Sequence, residues 1–234
     1  VIDAVGVIVP AHNEAAVLSD CLRAIDEALG ALDGKVQSLA VVVLDACSDG
    51  SERIAKRWAR ETSRRVLKVD FRNVGRARAA GMAHALDAFA AHERSRIWLT
   101  TTDADSIVPP TWLDEQTRLA SQGAHAVAGS IRVDDWSDYP PHVGARFAEF
   151  YEPAGSDDTH RHVHGANLGI RADAYVNAGG FAPLATGEDH ALWGALHPAA
   201  RVSSRRIVVT TSARKRGRAP RGFSAFLAAF SATR

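Results

Sequence analysis

Four short apolar runs, each closed by a polar loop, constrain this chain more than any other feature. AVGVIVP (4–10), LAVVVLDA (39–46), RVLKVD (65–70) and RIWLTT (96–101) have the length and β-branched content of buried strands. Between them the apolar residues recur at helical spacing. Leu18, Cys21, Leu22, Ile25 and Leu29 form one stripe, and Ile54, Ala55 and Trp58 form another after SDGSE. A third helix is expected over roughly residues 76–91. Strand and helix in strict alternation predict an α/β fold with a mostly parallel central sheet flanked by helices.

At 234 residues the chain is long enough for one sizeable core, and we read it as a single domain. Its formal net charge of +1 gives no ground for nucleic-acid binding. No apolar run approaches the roughly 20 residues of a membrane helix and no leader peptide is visible, which predicts a cytoplasmic protein, compatible with peripheral contact at the inner face of a membrane. The sequence starts at Val1, so nothing upstream is read. Cys21 and Cys47 are expected as reduced thiols.

In a parallel sheet, ligands gather beyond the carboxyl ends of the strands. Here those ends read PAHNE, LDACSDGS, DFRNVGRAR and TTDADS, polar in every case. The last holds Asp103, Ala104 and Asp105, two carboxylates that in an extended chain share a face. Like charges so close disfavour each other unless a cation neutralises them, and oxygen ligands of this kind suit Mg²⁺ or Mn²⁺. Alone, the motif also permits a loop cap or, with Asp103 as nucleophile and Asp105 as acid, a phosphohydrolase of the haloacid-dehalogenase type.

The second half is less regular. HAVAGSIRV (125–133) and RRIVVTTSAR (205–214) read as strands, GANLGIRADAYVNAGGF (165–181) as strand, helix and turn, and GEDHALWGALH (187–197) as a helix opening in acids. Residues 134–164 show no clear period. In HRHVHG, His160, His162 and His164 share a face if extended, but no ligand spacing supports zinc. The run RKRGRAPRG carries Arg214, Lys215, Arg216, Arg218 and Arg221 and suits either an anionic partner or solvent. FSAFLAAF closes the chain as an apolar helix.

Taken in order, VIVPAHNE, VVVLDACSDGS, NVGRARAAG, TTDADS and GANLGIRADAYVNAGGF…GEDHALWGAL resemble the signatures of GT-A glycosyltransferases, specifically the large inverting family numbered 2, over residues 5–195. The resemblance implies a GT-A domain across 1–234. Residues 1–108 would be its nucleotide-sugar-binding half, and 109–234 its acceptor-binding half with a basic loop and terminal helix. It implies a UDP- or GDP-sugar donor, a hydroxyl acceptor and a divalent ion, Mg²⁺ or Mn²⁺, held by Asp105 with Asp103 in support. Donor contacts carry over to Pro10, Ala11, Asn13, Glu14, Asp45, Gly75, Arg78, Asp103, Ala104 and Asp105. Acceptor-side positions are His164, Gly165, Asn167 and His190. The proton acceptor is Asp189, with Glu188 beside it. The sequence departs from the family at Leu44, where an acid is usual, and at Ala46-Cys47, where Gly-Ser is usual. It lacks the Gln-x-x-Arg-Trp of processive members. A sugar-nucleotide-binding module without catalysis is the alternative within this family.

Overall fold

The computed structural model describes all residues except 61–62, 134, 152–157, 216, 219–221 and 233–234. Among the described residues the apolar runs become β1 (Ala4–Ala11), β2 (Gln37–Asp45), β3 (Arg64–Val69) and β4 (Ile97–Thr101). They alternate with α1 (Leu18–Ala31), α2 (Ser51–Trp58) and α3 (Val74–Ala88). The later half adds β5 (Ser106–Ile107), α4 (Trp112–Ser121), β6 (Ala126–Arg132), α5 (Pro141–Tyr151), β7 (Leu168–Arg171), α6 (Ala172–Asn177), α7 (Glu188–Ala195), β8 (Arg201–Thr211) and α8 (Phe223–Ala232).

One sheet of eight strands runs β3-β2-β1-β4-β7-β6-β8-β5. β1 lies between β2 and β4 and is parallel to both. β7 and β5 run against their neighbours, so the sheet is mixed but mostly parallel. No helix among the described residues is long and apolar enough to cross a membrane.

Burial on both faces explains why β1 and β2 read as continuous apolar runs rather than alternating ones. Val5, Val7 and Val9 pack under α1 and α4 with Leu22, Ile25, Trp98 and Trp112. Ala4 and Ile8 face α3, α6 and α7 with Met82, Phe89, Leu99, Tyr175 and Leu192. Each fully buried Leu, Ile or Val contributes roughly 1.5–3 kcal/mol, an upper figure for an extended-chain reference. A third, smaller cluster joins α5 to α8 through Val143, Phe147, Tyr151 and Leu227, over Ile131 and Val133.

The helix starts have separate local causes. α1 begins at Leu18, the first residue of its apolar stripe, after Val17. Asn13 sits at φ 56°, and its Oδ1 accepts from Ser48 N (2.8 Å), pinning the β1 loop to the β2 loop. α3 begins at Val74 because Asn73 caps it, accepting from Arg76 N at 2.9 Å. The segment 134–164, read as irregular, contains α5. Cys21 and Cys47 are free thiols, and burial pushes the Cys21 thiol up, so it stays protonated.

Candidate active site

The carboxyl ends of β1, β2 and β4, the start of α3 and the start of α7 converge on one cavity of about 720 Å³. Pro10, Ala11, His12 and Glu14 come from the β1 end, and Asp45 from β2. Asp103, Ala104 and Asp105 follow β4. Arg78 lies one turn into α3, while Glu188, Asp189 and His190 open α7. His164, Gly165 and Ala166 close the far side.

Asp103 and Asp105 do not share an extended face. They sit in a tight turn between β4 and β5, closed by Ser106 N donating to Asp103 O at 3.1 Å. The turn aims them at different cations. Asp103 is paired with Arg78, and Asp105 lies 3.0 Å from Arg214 Nη2. Burial, with Asp103 and Glu14 nearby, raises the Asp105 carboxyl to about 6, against the pull of Arg214.

Arg78 is only 3% exposed, and its cation is shared between acids of the site. Its guanidinium bonds Asp103 and Glu188 and donates Nε to Thr101 Oγ1 at 3.2 Å. Gly165 lies against it: a Cβ there would come within 2.3 Å of Arg78 Nη2. Arg78 therefore ties Asp103, after β4, to Glu188 of α7. Burial raises the Glu188 carboxyl, opposed by Arg78.

Asp189 is placed by backbone donors. Its Oδ2 accepts from Gly165 N and its Oδ1 from His190 N, each at 2.8 Å. Gly187, at φ 80°, makes the turn that aims α7 at the cavity. A carboxylate has about four acceptor positions, so two remain for a ligand.

Glu14 and Asp45 are more occupied than donor-contact roles suggest. Glu14 is gripped at both oxygens by Arg214, at 2.6 and 2.7 Å. Asp45 accepts the backbone N–H groups of Phe71, Arg72 and Asn73 (2.6–2.9 Å), which fixes the loop entering α3. His12, unmarked in the sequence, lines the cavity and bonds Asp45 O at 2.6 Å.

Two expected positions point elsewhere. Asn167 is fully buried; its amide donates to Ser130 O and Ile207 O and accepts from Trp112 Nε1, so it locks β6, β8 and α4 instead of facing an acceptor. Gly75 is a packing glycine, since a Cβ would lie 2.1 Å from Ala182 O and 2.8 Å from Leu184 O. Its N–H donates to Leu184 O at 3.0 Å. Gly75→Ala is expected to push the 182–184 segment off α3 and cost about 1–3 kcal/mol, read as a lower urea midpoint at unchanged m-value.

The histidines do share a face. His160, His162 and His164 follow one another with ring centroids 6.2 Å apart at each step, nearly parallel. Rings stacked this way do not converge on a point about 2 Å from each nitrogen, as zinc requires. Among the described residues no group of three or more His, Cys, Asp or Glu can hold a metal by itself. Burial lowers His164 to about 3, so it is neutral, and its Nε2 meets Tyr151 Oη at 3.2 Å.

The basic run is partly built into the site. Arg214 bridges Glu14 and Asp105, and Arg218 donates to Asn13 O at 2.9 Å. Lys215 lies over the Tyr139 ring. Arg216 and Arg221 fall outside the described residues.

Comparisons agree with this fold. TarS 1-349 of S. aureus, solved with UDP-GlcNAc, superposes with a TM-score of 0.66 at 11% identity, over 92% of this chain and 60% of that one. Mannosyltransferase PcManGT from Pyrobaculum calidifontis, solved with GDP-Man and Mn²⁺, gives 0.61 at 21%, over 91% and 58%. A mycobacterial protein gives 0.55 at 15%, over 97% and 71%. The chain thus spans about three fifths of the first two. No curated protein matches the sequence. The profile of "Glycosyl transferase family 2" matches residues 6–177, most of the strands and every loop from β1 to α6. With that match and a GT-A-type sheet, this chain belongs to glycosyl transferase family 2.

Proposed function

We propose that this chain transfers a sugar from a nucleoside-diphosphate sugar to an acceptor hydroxyl, in one displacement with inversion. The observation that carries the reading is that Asp189 and the Asp103/Asp105 pair line a single cavity, with Arg78 linking Asp103 to Glu188, the neighbour of Asp189. The nucleoside would enter along Pro10, Ala11 and His12 at the end of β1. The acceptor would enter from the His164–Ala166 side.

The acids fit a divalent ion. Asp105 is a buried hard-oxygen ligand with Glu14 and Asp103 nearby, and in this structure an arginine sits among them as the neutralising cation. Mg²⁺ and Mn²⁺ accept one or two carboxylates and complete their shells with phosphate and water. Asp105, supported by Asp103, would hold the ion, which would supply Lewis-acid stabilisation of the diphosphate leaving group.

The chain's own residues do the rest. Asp189 takes the proton from the acceptor hydroxyl as its oxygen bonds the anomeric carbon and the bond to the diphosphate oxygen breaks. Gly165 N and His190 N fix the Asp189 carboxylate in its orientation. Arg214, already beside Asp105, is placed to follow the diphosphate charge when a nucleotide enters.

The test is a thermal-shift panel of UDP-, GDP- and dTDP-sugars with and without Mn²⁺, on wild type and Asp105→Ala. A ligand at a hundredfold over its Kd adds about 2.7 kcal/mol, or roughly 5–10 °C of Tm for a chain of this size. The Mn²⁺-dependent part is expected to vanish in the variant. If it survives there, Asp105 is not the ligand.

A further inference from the structure

The acceptor end of the cavity has a wall unlike the donor end. Among the described residues every carboxylate lining the cavity, Glu14, Asp45, Asp103, Asp105, Glu188 and Asp189, comes from the strand ends or from α7. Among the described residues, the lining supplied by α5, the histidine segment and the start of α8 contains no carboxylate and no carboxamide. Rings dominate it instead, with Arg161 and Ser224 among them.

A continuous path of rings leads outward from the proposed base. Asp189 holds Gly165 N, and the neighbouring His164 ring lies near Tyr151 (5.7 Å) and Phe223 (6.3 Å). Tyr151 stacks on His162 at 4.2 Å, and Phe150 lies 5.5 Å from His162. Phe150 and Phe226 then meet at 6.1 Å. They are the two aromatic members of the exposed large apolar side chains among the described residues, at 48% and 37% exposure, and both line the cavity. Exposed rings rimming a cavity mark a ligand surface more often than a random patch does.

This composition discriminates between acceptor classes. A sugar acceptor brings several hydroxyls, each of which needs a partner once water is displaced. Among the described residues this wall offers Arg161, Ser224 and imidazoles, and none of the carboxylates found at the donor end. An apolar ring system brings area that stacks offset or edge-on against Phe, and needs only its reacting hydroxyl to reach Asp189. We propose that the acceptor of this chain carries its hydroxyl on a flat, apolar ring system seated against Phe150, Phe223 and Phe226. The proposal rests on the glycosyltransferase reading and narrows its acceptor.

The test measures binding by calorimetry without any donor, using 7-hydroxycoumarin as the ring probe beside methyl α-glucopyranoside and farnesol. Wild type is compared with Phe150→Leu and with Phe150→Ala/Phe226→Ala, surface changes that leave the buried cluster of α5 and α8 in place. The expected result is saturable binding of 7-hydroxycoumarin, weakened about tenfold or more in the double variant, with an unchanged nucleotide-induced Tm shift. Equal probe binding by wild type and double variant overturns the proposal, as does preference for the glucoside or for farnesol. Failure of the parent reading looks different: wild type then shows no nucleotide shift at all, whatever the probe does.

Discussion

Asp189→Asn is expected to keep the fold and donor binding while lowering transfer by about 10²–10⁴-fold. The substitution is isosteric. Its single carbonyl oxygen can still accept from Gly165 N, the more buried of the two donors that hold the carboxylate, so the side chain keeps its place. What it loses is the ability to take the acceptor's proton. The measurement is the steady-state rate under saturating donor, with the nucleotide-induced Tm shift as the control for site integrity. A variant within a few-fold of wild type would remove Asp189 from the mechanism. Glu188 cannot easily take its place. That residue is 4% exposed, its carboxylate is paired with Arg78, and burial disfavours its charge. Of two adjacent acids, only the one with free acceptor positions facing the cavity can meet a hydroxyl.

The contrast between these neighbours shows what a linear reading reaches. Runs of Val and Ile bounded by polar loops announced β1 to β4, because burial on both faces leaves a mark in local composition. The convergence of their ends on one cavity followed from parallel topology alone. Other features left no local mark. Arg78 meets Glu188 110 residues on, and Arg214 meets Glu14 200 residues back. Spacing encodes neighbours on one helix or strand, not partners across a sheet, so the sequence offers Arg78 and Glu14 as donor contacts without showing that Arg78 pairs with Asp103 and Glu188, and Glu14 with Arg214. Asp45 is similar, its carboxylate consumed by three backbone donors from the next loop. α5 was a different failure: Val143, Phe147 and Tyr151 repeat every four residues, a legible stripe in a segment crowded with Asp, His and Pro. α4 buries Gln116, bonded to Trp98 Nε1, which weakens its apolar pattern.

The largest stability effect is expected at Arg78. Arg78→Met keeps the aliphatic stem but strips the cation from between Asp103 and Glu188. Asp103 is 39% exposed at its side chain and can turn to water, so its loss is small. Glu188 is 5% exposed there and cannot. Breaking a buried pair from one side typically costs about 3–5 kcal/mol, because a charge is left without compensation. Urea unfolding is expected to show a deficit of that size near neutral pH. Its pH dependence identifies the cause. Burial already raises Glu188 above the ordinary carboxylate range with Arg78 present, and removing the arginine raises it further. A group whose folded pKa lies above its unfolded one is most favourable to folding below the unfolded pKa, and that contribution is lost as pH rises through the folded value. The Arg78→Met deficit should therefore shrink toward acid pH and grow toward alkaline pH. Adding Glu188→Gln should recover most of it and flatten the pH dependence. A deficit that is equal at all pH values, or that persists in the double variant, would mean that Arg78 stabilises the chain by packing against Gly165 and Thr101 and not by holding the buried acid.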